Sequence, residues 1–201
     1  MPIVKGRFAT TTRAAVPATA SSQANRDAWE IVRPLAVGRW CVTHLARPAG
    51  SPRSLSADYV LKMVKPEHAA TTAVRGMLAQ EVRISRQLNH SRIVPILAAQ
   101  LAQPPFYVVM PRIRGATLDA ALQRYGRVAL PAALWITRQL SEALMEVHRA
   151  GWIHADLGPA NLIVQPNGTV SLLDFGLSLP CRHGLHEEQD KGGFSNGHRD
   201  D

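Results

Sequence analysis

The stretch that most constrains this chain runs from Leu162 to Leu173. Two β-forming runs, Leu162-Ile163-Val164 and Thr169-Val170-Ser171-Leu172-Leu173, are separated by Pro166-Asn167-Gly168. Proline restricts φ at the start of the turn, and Asn-Gly supplies the positive φ of a tight reversal, so the segment predicts a β-hairpin. Before it stands His154-Ala155-Asp156-Leu157-Gly158-Pro159-Ala160-Asn161, and after it Asp174-Phe175-Gly176. The hairpin becomes a rigid arm that brings Asp156, Asn161 and Asp174 close together. Oxygen donors of this kind suit Mg2+ or proton transfer.

His-x-Asp-Leu-x-Pro-x-Asn, a strand, and then Asp-Phe-Gly resembles the catalytic and magnesium loops of the protein kinase family. The resemblance covers residues 30 to 179 and implies an α+β, two-lobed fold with a β-rich small lobe and an incomplete, mainly helical large lobe. It implies Asp156 as the base that orients a substrate hydroxyl, with Asn161 and Asp174 holding Mg2+ on the ATP phosphates. ATP and Mg2+ are therefore the expected cofactors, and a protein bearing a Ser or Thr hydroxyl the expected partner.

The same resemblance extends upstream. Tyr59 to Val64 reads as a strand with Lys62 midway, and Glu81 falls on a helix with Leu78, Val82, Ile84 and Leu88. These two match the family's ion pair that places the phosphates. Phe106 to Met110 followed by Arg112 to Leu118 is similar to the last small-lobe strand and the hinge. Met110 is then expected to border the adenine pocket, with the Ile113 amide facing the base, while Pro111 carries no N–H. Of three glycines expected over the phosphates only Gly38 is present, and Ala36 and Cys41 occupy the other places. Glycine matters there because backbone amides must approach phosphate with no side chain between.

Two departures lie in the catalytic loop itself. Ala155 stands where an arginine commonly pairs with a phosphorylated activation segment, which argues against control by that route. Gly158 stands in place of a lysine that contacts the transferred phosphate, removing positive charge where negative charge develops. A non-lysine residue there is also similar to small-molecule phosphotransferases such as those acting on aminoglycosides. After Gly176 the Ala-Pro-Glu segment and later helices are missing, so a partner or further segment is expected to cover the large lobe. A catalytically weak scaffold or a fragment is the alternative reading.

Composition limits the rest. At 201 residues with 46% apolar content the chain can bury a real core. Cys41 and Cys181 lie in no paired spacing, which suggests a reducing, cytoplasmic setting. Because both flank the phosphate region in the alignment, they are expected to approach each other. The uncharged run from Ile93 to Pro111 is broken by prolines and predicts no membrane span. The net charge of +8 comes from arginines scattered singly, which reads as a solvated basic surface rather than a nucleic-acid site.

The expected organisation is a leader (1–27), small lobe and hinge (28–113), partial large lobe (114–179) and disordered tail (180–201). The leader is basic and rich in Ala, Thr and Ser, and fits disorder or an organelle transit peptide. Helices are expected from Thr117 to Tyr125, ended by Gly126, and from Pro131 to about Ala150, with Leu130, Leu134, Ile136, Leu140, Leu144 and Val147 as an apolar stripe. His154 is expected to be structural, and His183 and His186 to bind no metal.

Overall fold

A computed structural model describes residues 28–181. The expected leader and the tail from residue 182, with His183 and His186, lie outside the described residues.

The first half of the described chain is a five-stranded antiparallel sheet of β1 (Trp29–Val37), β2 (Cys41–Pro48), β3 (Tyr59–Val64), β4 (Ala98–Gln100) and β5 (Tyr107–Pro111), ordered β1-β2-β3-β5-β4. The interior strands bury both faces. Leu61, Ala46, Tyr107 and Val109 pack on one side, while Val64, Val108 and Met110 pack on the other against Val74, Leu78 and Val82 of α1 (Thr72–Ser85). That two-sided burial is why β5 reads as a continuous apolar run. β1 is the edge strand, and Pro34 sits in it where a missing N–H is tolerated.

Helix α1 ends at Ser85, before Leu88, which the apolar stripe includes. The Gln87 amide closes a tight bond to Ile84 O at 2.8 Å, and the Ser85 hydroxyl accepts the Ile96 amide at 2.8 Å. Leu88 still reaches the core from the loop beyond.

The second half contains β6 (Ala116–Thr117), α2 (Leu118–Tyr125), α3 (Leu130–Arg149), β7 (Trp152–Ile153), β8 (Leu162–Val164), β9 (Val170–Leu172) and β10 (Leu179–Pro180). Thr117 caps α2, its hydroxyl accepting the Ala120 amide at 3.1 Å, and Gly126 ends it at φ 75°. α3 turns Gln139, Ala143 and Val147 inward. Leu130 and Leu134, expected in its stripe, are instead 71% and 63% exposed, because among the described residues nothing packs on that face.

The hairpin is β8 and β9, with Leu162 opposite Leu172 and Val164 opposite Val170. Gly168 takes φ +80°, the left-handed conformation its turn demands. Gly115 is required for a different reason, since a Cβ there would sit 2.4 Å from Val164 O of β8. The hairpin is clasped from both sides. Gln139, 1% exposed, donates to Gly168 O at 2.9 Å and accepts the Val170 amide at 3.1 Å. On the other side Leu172 N–H donates to Arg92 O at 2.7 Å, and Val94 N–H to Leu172 O at 3.1 Å.

Pro180 and Cys181, expected to open the tail, are instead held in place. β10 pairs with β7, and the Cys181 amide donates to Gly151 O at 2.7 Å. No helix among the described residues is long and apolar enough to cross a membrane.

Because Gln139 joins α3 to the hairpin turn, Gln139→Leu leaves the Val170 amide without its partner and takes an acceptor from the Arg92 guanidinium, while the Gly168 carbonyl keeps the Trp135 Nε1 donor. A loss of about 2 kcal/mol is expected, read from urea unfolding followed by circular dichroism.

Candidate functional site

The site is built around one half-buried lysine. Lys62 lies opposite Thr43 on β2 and Val108 on β5, in the middle of the sheet. Its Nζ is 2.9 Å from Glu81 Oε2 on α1 and 2.7 Å from Asp174 Oδ1 at the hairpin's exit. Burial alone would lower the lysine pKa, but the Glu81 and Asp174 carboxylates outweigh it, so the net direction is upward and Lys62 stays cationic. Glu81 is 3% exposed, and burial pushes its carboxyl up while Lys62 pulls it back. Burial likewise pushes the Cys41 thiol up, with Lys62 opposing.

Asp156 is held by Asn161, whose Nδ2 donates to Asp156 O at 2.9 Å and to Asp156 Oδ2 at 3.1 Å. Among the described residues, two non-glycine residues adopt left-handed backbone: Ala155 at φ 59°, directly before Asp156, and Asp174 itself at φ 65°. Each costs about 1 kcal/mol or more, and such strain persists only where the surroundings fix it. His154 supplies part of that fixing. Its Nε2 donates to Leu173 O at 2.9 Å, its ring lies 5.0 Å from that of Phe175, and its own carbonyl accepts the Ser178 hydroxyl at 3.2 Å. The Leu173 amide in turn donates to Asn161 O at 2.9 Å. His154 thus ties the two loops together, the structural role expected of it.

Between the two halves of the molecule is a cleft of about 410 Å³, walled by Leu35, Val60, Met110, Ile113, Ile163 and Leu173, with Lys62 and Asp174 at its inner end. An adjoining space of about 310 Å³ is lined by Gly38, Cys41, Asp156 and Leu177, and shares Lys62, Glu81, Asn161 and Asp174 with the first. The structure therefore brings Met110 and Ile113 to the cleft, and Gly38, Lys62, Glu81, Asp156, Asn161 and Asp174 to the space adjoining it. Cys41 lines it and Cys181 does not; the latter sits beside Gly151, so the expected approach of the two is not what the fold produces.

The roof and hinge add detail. Residues directly opposite on neighbouring strands share a face. Ala36 lies opposite Thr43, Thr43 opposite Lys62 and Cys41 opposite Val64, so the side chains that replace glycine face the cleft. At the hinge Pro111 has no N–H and the Arg112 amide is taken by Asp58 O at 2.8 Å, which leaves the Ile113 amide as the main-chain donor. Sequence reasoning passed over Thr43 and Ile163; strand alternation counted from Cys41 and from Asn161 would have found both.

The donor set fits a magnesium ion. Asn161 commits its NH2 to Asp156, which leaves its amide oxygen, and Asp174 offers a carboxylate. No group of three or more His, Cys, Asp or Glu among the described residues forms a metal cage. Mg2+ is commonly held this way, by one or two protein oxygens together with substrate phosphates.

A family model for the protein kinase domain matches residues 51–192, and this chain belongs to that family. It adopts the family's two-lobed α+β fold in incomplete form. The chain is 30% identical over 153 residues to CBL-interacting serine/threonine-protein kinase 13 of Arabidopsis thaliana, covering 76% of this chain and 30% of the relative. It is 26% identical to the putative CBL-interacting protein kinase 27 of Oryza sativa subsp. japonica over 77% of this chain and 37% of the relative. Serine/threonine-protein kinase PknA of Mycobacterium tuberculosis (strain ATCC 25618 / H37Rv) matches at 31% identity over 62% of this chain and 30% of its own length. The chain thus spans about a third of the length of these relatives.

Lys62→Met removes the cation between two carboxylates and is expected to cost about 3 kcal/mol, with Lys62→Met/Glu81→Leu recovering most of it. The Glu81 pKa is raised in the fold, so its contribution favours the folded state at low pH and is lost as pH rises through the folded pKa. Denaturation of the single variant across pH checks this: its deficit grows from acid toward neutral.

Proposed function

We propose that this chain is an ATP-dependent phosphotransferase that moves the γ-phosphate of Mg-ATP to a serine or threonine hydroxyl of a protein. The observation that carries the reading is the single cavity joining the Lys62–Glu81–Asp174 ion triad to the Asp156–Asn161 pair. The apolar walls at Leu35, Val60, Met110 and Ile163 suit a flat base, and the Ile113 amide can meet its edge. Lys62, fixed by Glu81, positions the phosphates. Asn161 and Asp174 hold Mg2+, which supplies charge neutralisation on the phosphate oxygens when bound.

Asp156 orients the acceptor hydroxyl in line with the γ-phosphorus and takes its proton. The acceptor-oxygen-to-phosphorus bond forms as the bond to the β,γ-bridging oxygen breaks, and ADP leaves. With Gly158 rather than a lysine at that place in the loop, the reading includes a slow enzyme. The same reading divides the chain into small lobe and hinge (28–113) and partial large lobe (114–179), in a cytoplasmic protein.

A second reading, a kinase-like scaffold or fragment that needs more chain or a partner, is favoured by one observation. Leu130, Leu134 and Met145 share one side of α3 and leave it apolar and exposed.

Transfer of label from Mg-ATP to a protein acceptor, and to an aminoglycoside or simple sugar, separates these. Asp156→Asn is expected to lower protein transfer at least about a hundredfold with ATP affinity unchanged. Transfer confined to the small acceptor would overturn the protein-kinase reading. ATP binding with no transfer to either would favour the scaffold.

A further inference from the structure

Gln80 precedes Glu81 on α1 and has no part in the reaction outlined above. Its side-chain amide reaches across to the segment after Asp-Phe-Gly, donating to Gly176 O at 3.0 Å and to Ser178 O at 2.7 Å. The two elements are in close contact there, since a Cβ on Gly176 would lie 3.4 Å from Met77 O of α1.

These bonds close a ring. The Gly176 amide donates to Asp174 Oδ1 at 3.3 Å, Asp174 Oδ1 meets Lys62 Nζ at 2.7 Å, and Lys62 meets Glu81 at 2.9 Å, one residue from Gln80. Ser178, the other acceptor, is itself 1% exposed and bonded to His154 O, two residues before Asp156. A single side chain therefore fixes α1 against both the Asp174 loop and the Asp156 loop. Its two bonds run from a neutral amide to main-chain carbonyls and involve no ionised group. Ala155, beside Asp156, offers no cation through which a charged segment could do the same.

We propose that Gln80 is a positioning residue that holds α1 on residues 174–178, so that the Lys62–Glu81–Asp174 triad stays assembled without phosphorylation of the segment that follows. The inference rests on the nucleotide-site reading above and names how that site is kept in order.

The test uses the full chain and its Gln80→Glu and Gln80→Lys variants. The carboxylate of Gln80→Glu is close in size to the amide but sets acceptors against two carbonyls, whereas the ammonium of Gln80→Lys restores a donor. Both variants are nearly conservative in volume. Amide hydrogen exchange by mass spectrometry reads protection of residues 174–178 without nucleotide. Fluorescent ATP-analogue titration, with and without Mg2+, reads the site. In Gln80→Glu, protection of 174–178 is expected to fall and Mg-dependent affinity to drop about tenfold, with the strands of the sheet as protected as before. Gln80→Lys is expected to recover most of both, and phosphatase treatment of the wild type to change neither.

Unchanged protection in Gln80→Glu overturns the proposal whatever the nucleotide does. So does loss of the wild-type arrangement after phosphatase treatment. A wild type that binds no ATP analogue sinks the nucleotide-site reading instead, and the exchange comparison still decides whether Gln80 is the tether.

Discussion

The arrangement depends on a lysine that sits between two carboxylates from distant parts of the chain. A cation on an interior strand has to be compensated, and Lys62 is compensated twice, by Glu81 from a helix and by Asp174 from a hairpin exit. Removing the lysine would leave two carboxylates facing each other in a poorly solvated place. The ion triad is therefore the reason the sheet-rich and helix-rich halves have a preferred relation at all. Other contacts between them, among them the pairing of residues 92–94 with β9, the Gln80 bonds to residues 176 and 178, and the burial of Phe175 among Ile84, Leu88 and Val147, reinforce that relation.

Geometry in the catalytic loop follows from main-chain bonding more than from side-chain identity. Leu173 gives its amide to Asn161 and its carbonyl to His154, so the residue before Asp174 is fixed on both sides. With Phe175 2% exposed behind it, Asp174 can be held in a left-handed conformation that an isolated loop would abandon. The β1–β2 turn shows the opposite economy. Side chains at Ala36 and Cys41 face the cleft where a glycine would leave space, and Gly38 keeps the tight turn, its amide 2.9 Å from Cys41 O.

Much of this was legible in the sequence because it is local. The Pro-Asn-Gly turn, the Thr117 and Gly126 caps and the apolar strands around Lys62 are each set by a few neighbouring residues, whereas the Lys62–Glu81 pair was expected only from the family resemblance. What was not legible is long-range. Nothing near Gln80 announces that it will meet Gly176, and nothing near Arg112 announces that Asp58 will take its amide. Left-handed φ at Ala155 and Asp174 is imposed by packing against residue types that do not prefer it. Leu130 and Leu134 were misplaced for a related reason: a helical period says which residues share a stripe, and only the neighbours decide whether the stripe is covered. The end of α1 went the same way, decided by a serine's bond to Ile96.

The ring closed by Gln80 also has a clock in it. Its two ends are 98 residues apart in sequence. At translation speeds of about 5–20 residues per second, the helix leaves the ribosome roughly 5–20 s before the loop it clasps. During that interval the sheet of β1–β5 can form and Lys62 can find Glu81, yet the third corner of the triad has not been synthesised. A nascent chain thus carries the Lys62–Glu81 pair on an open surface, without Asp174, until residue 174 emerges. The chemistry of the site and the completion of this fold therefore arrive at the same moment of synthesis.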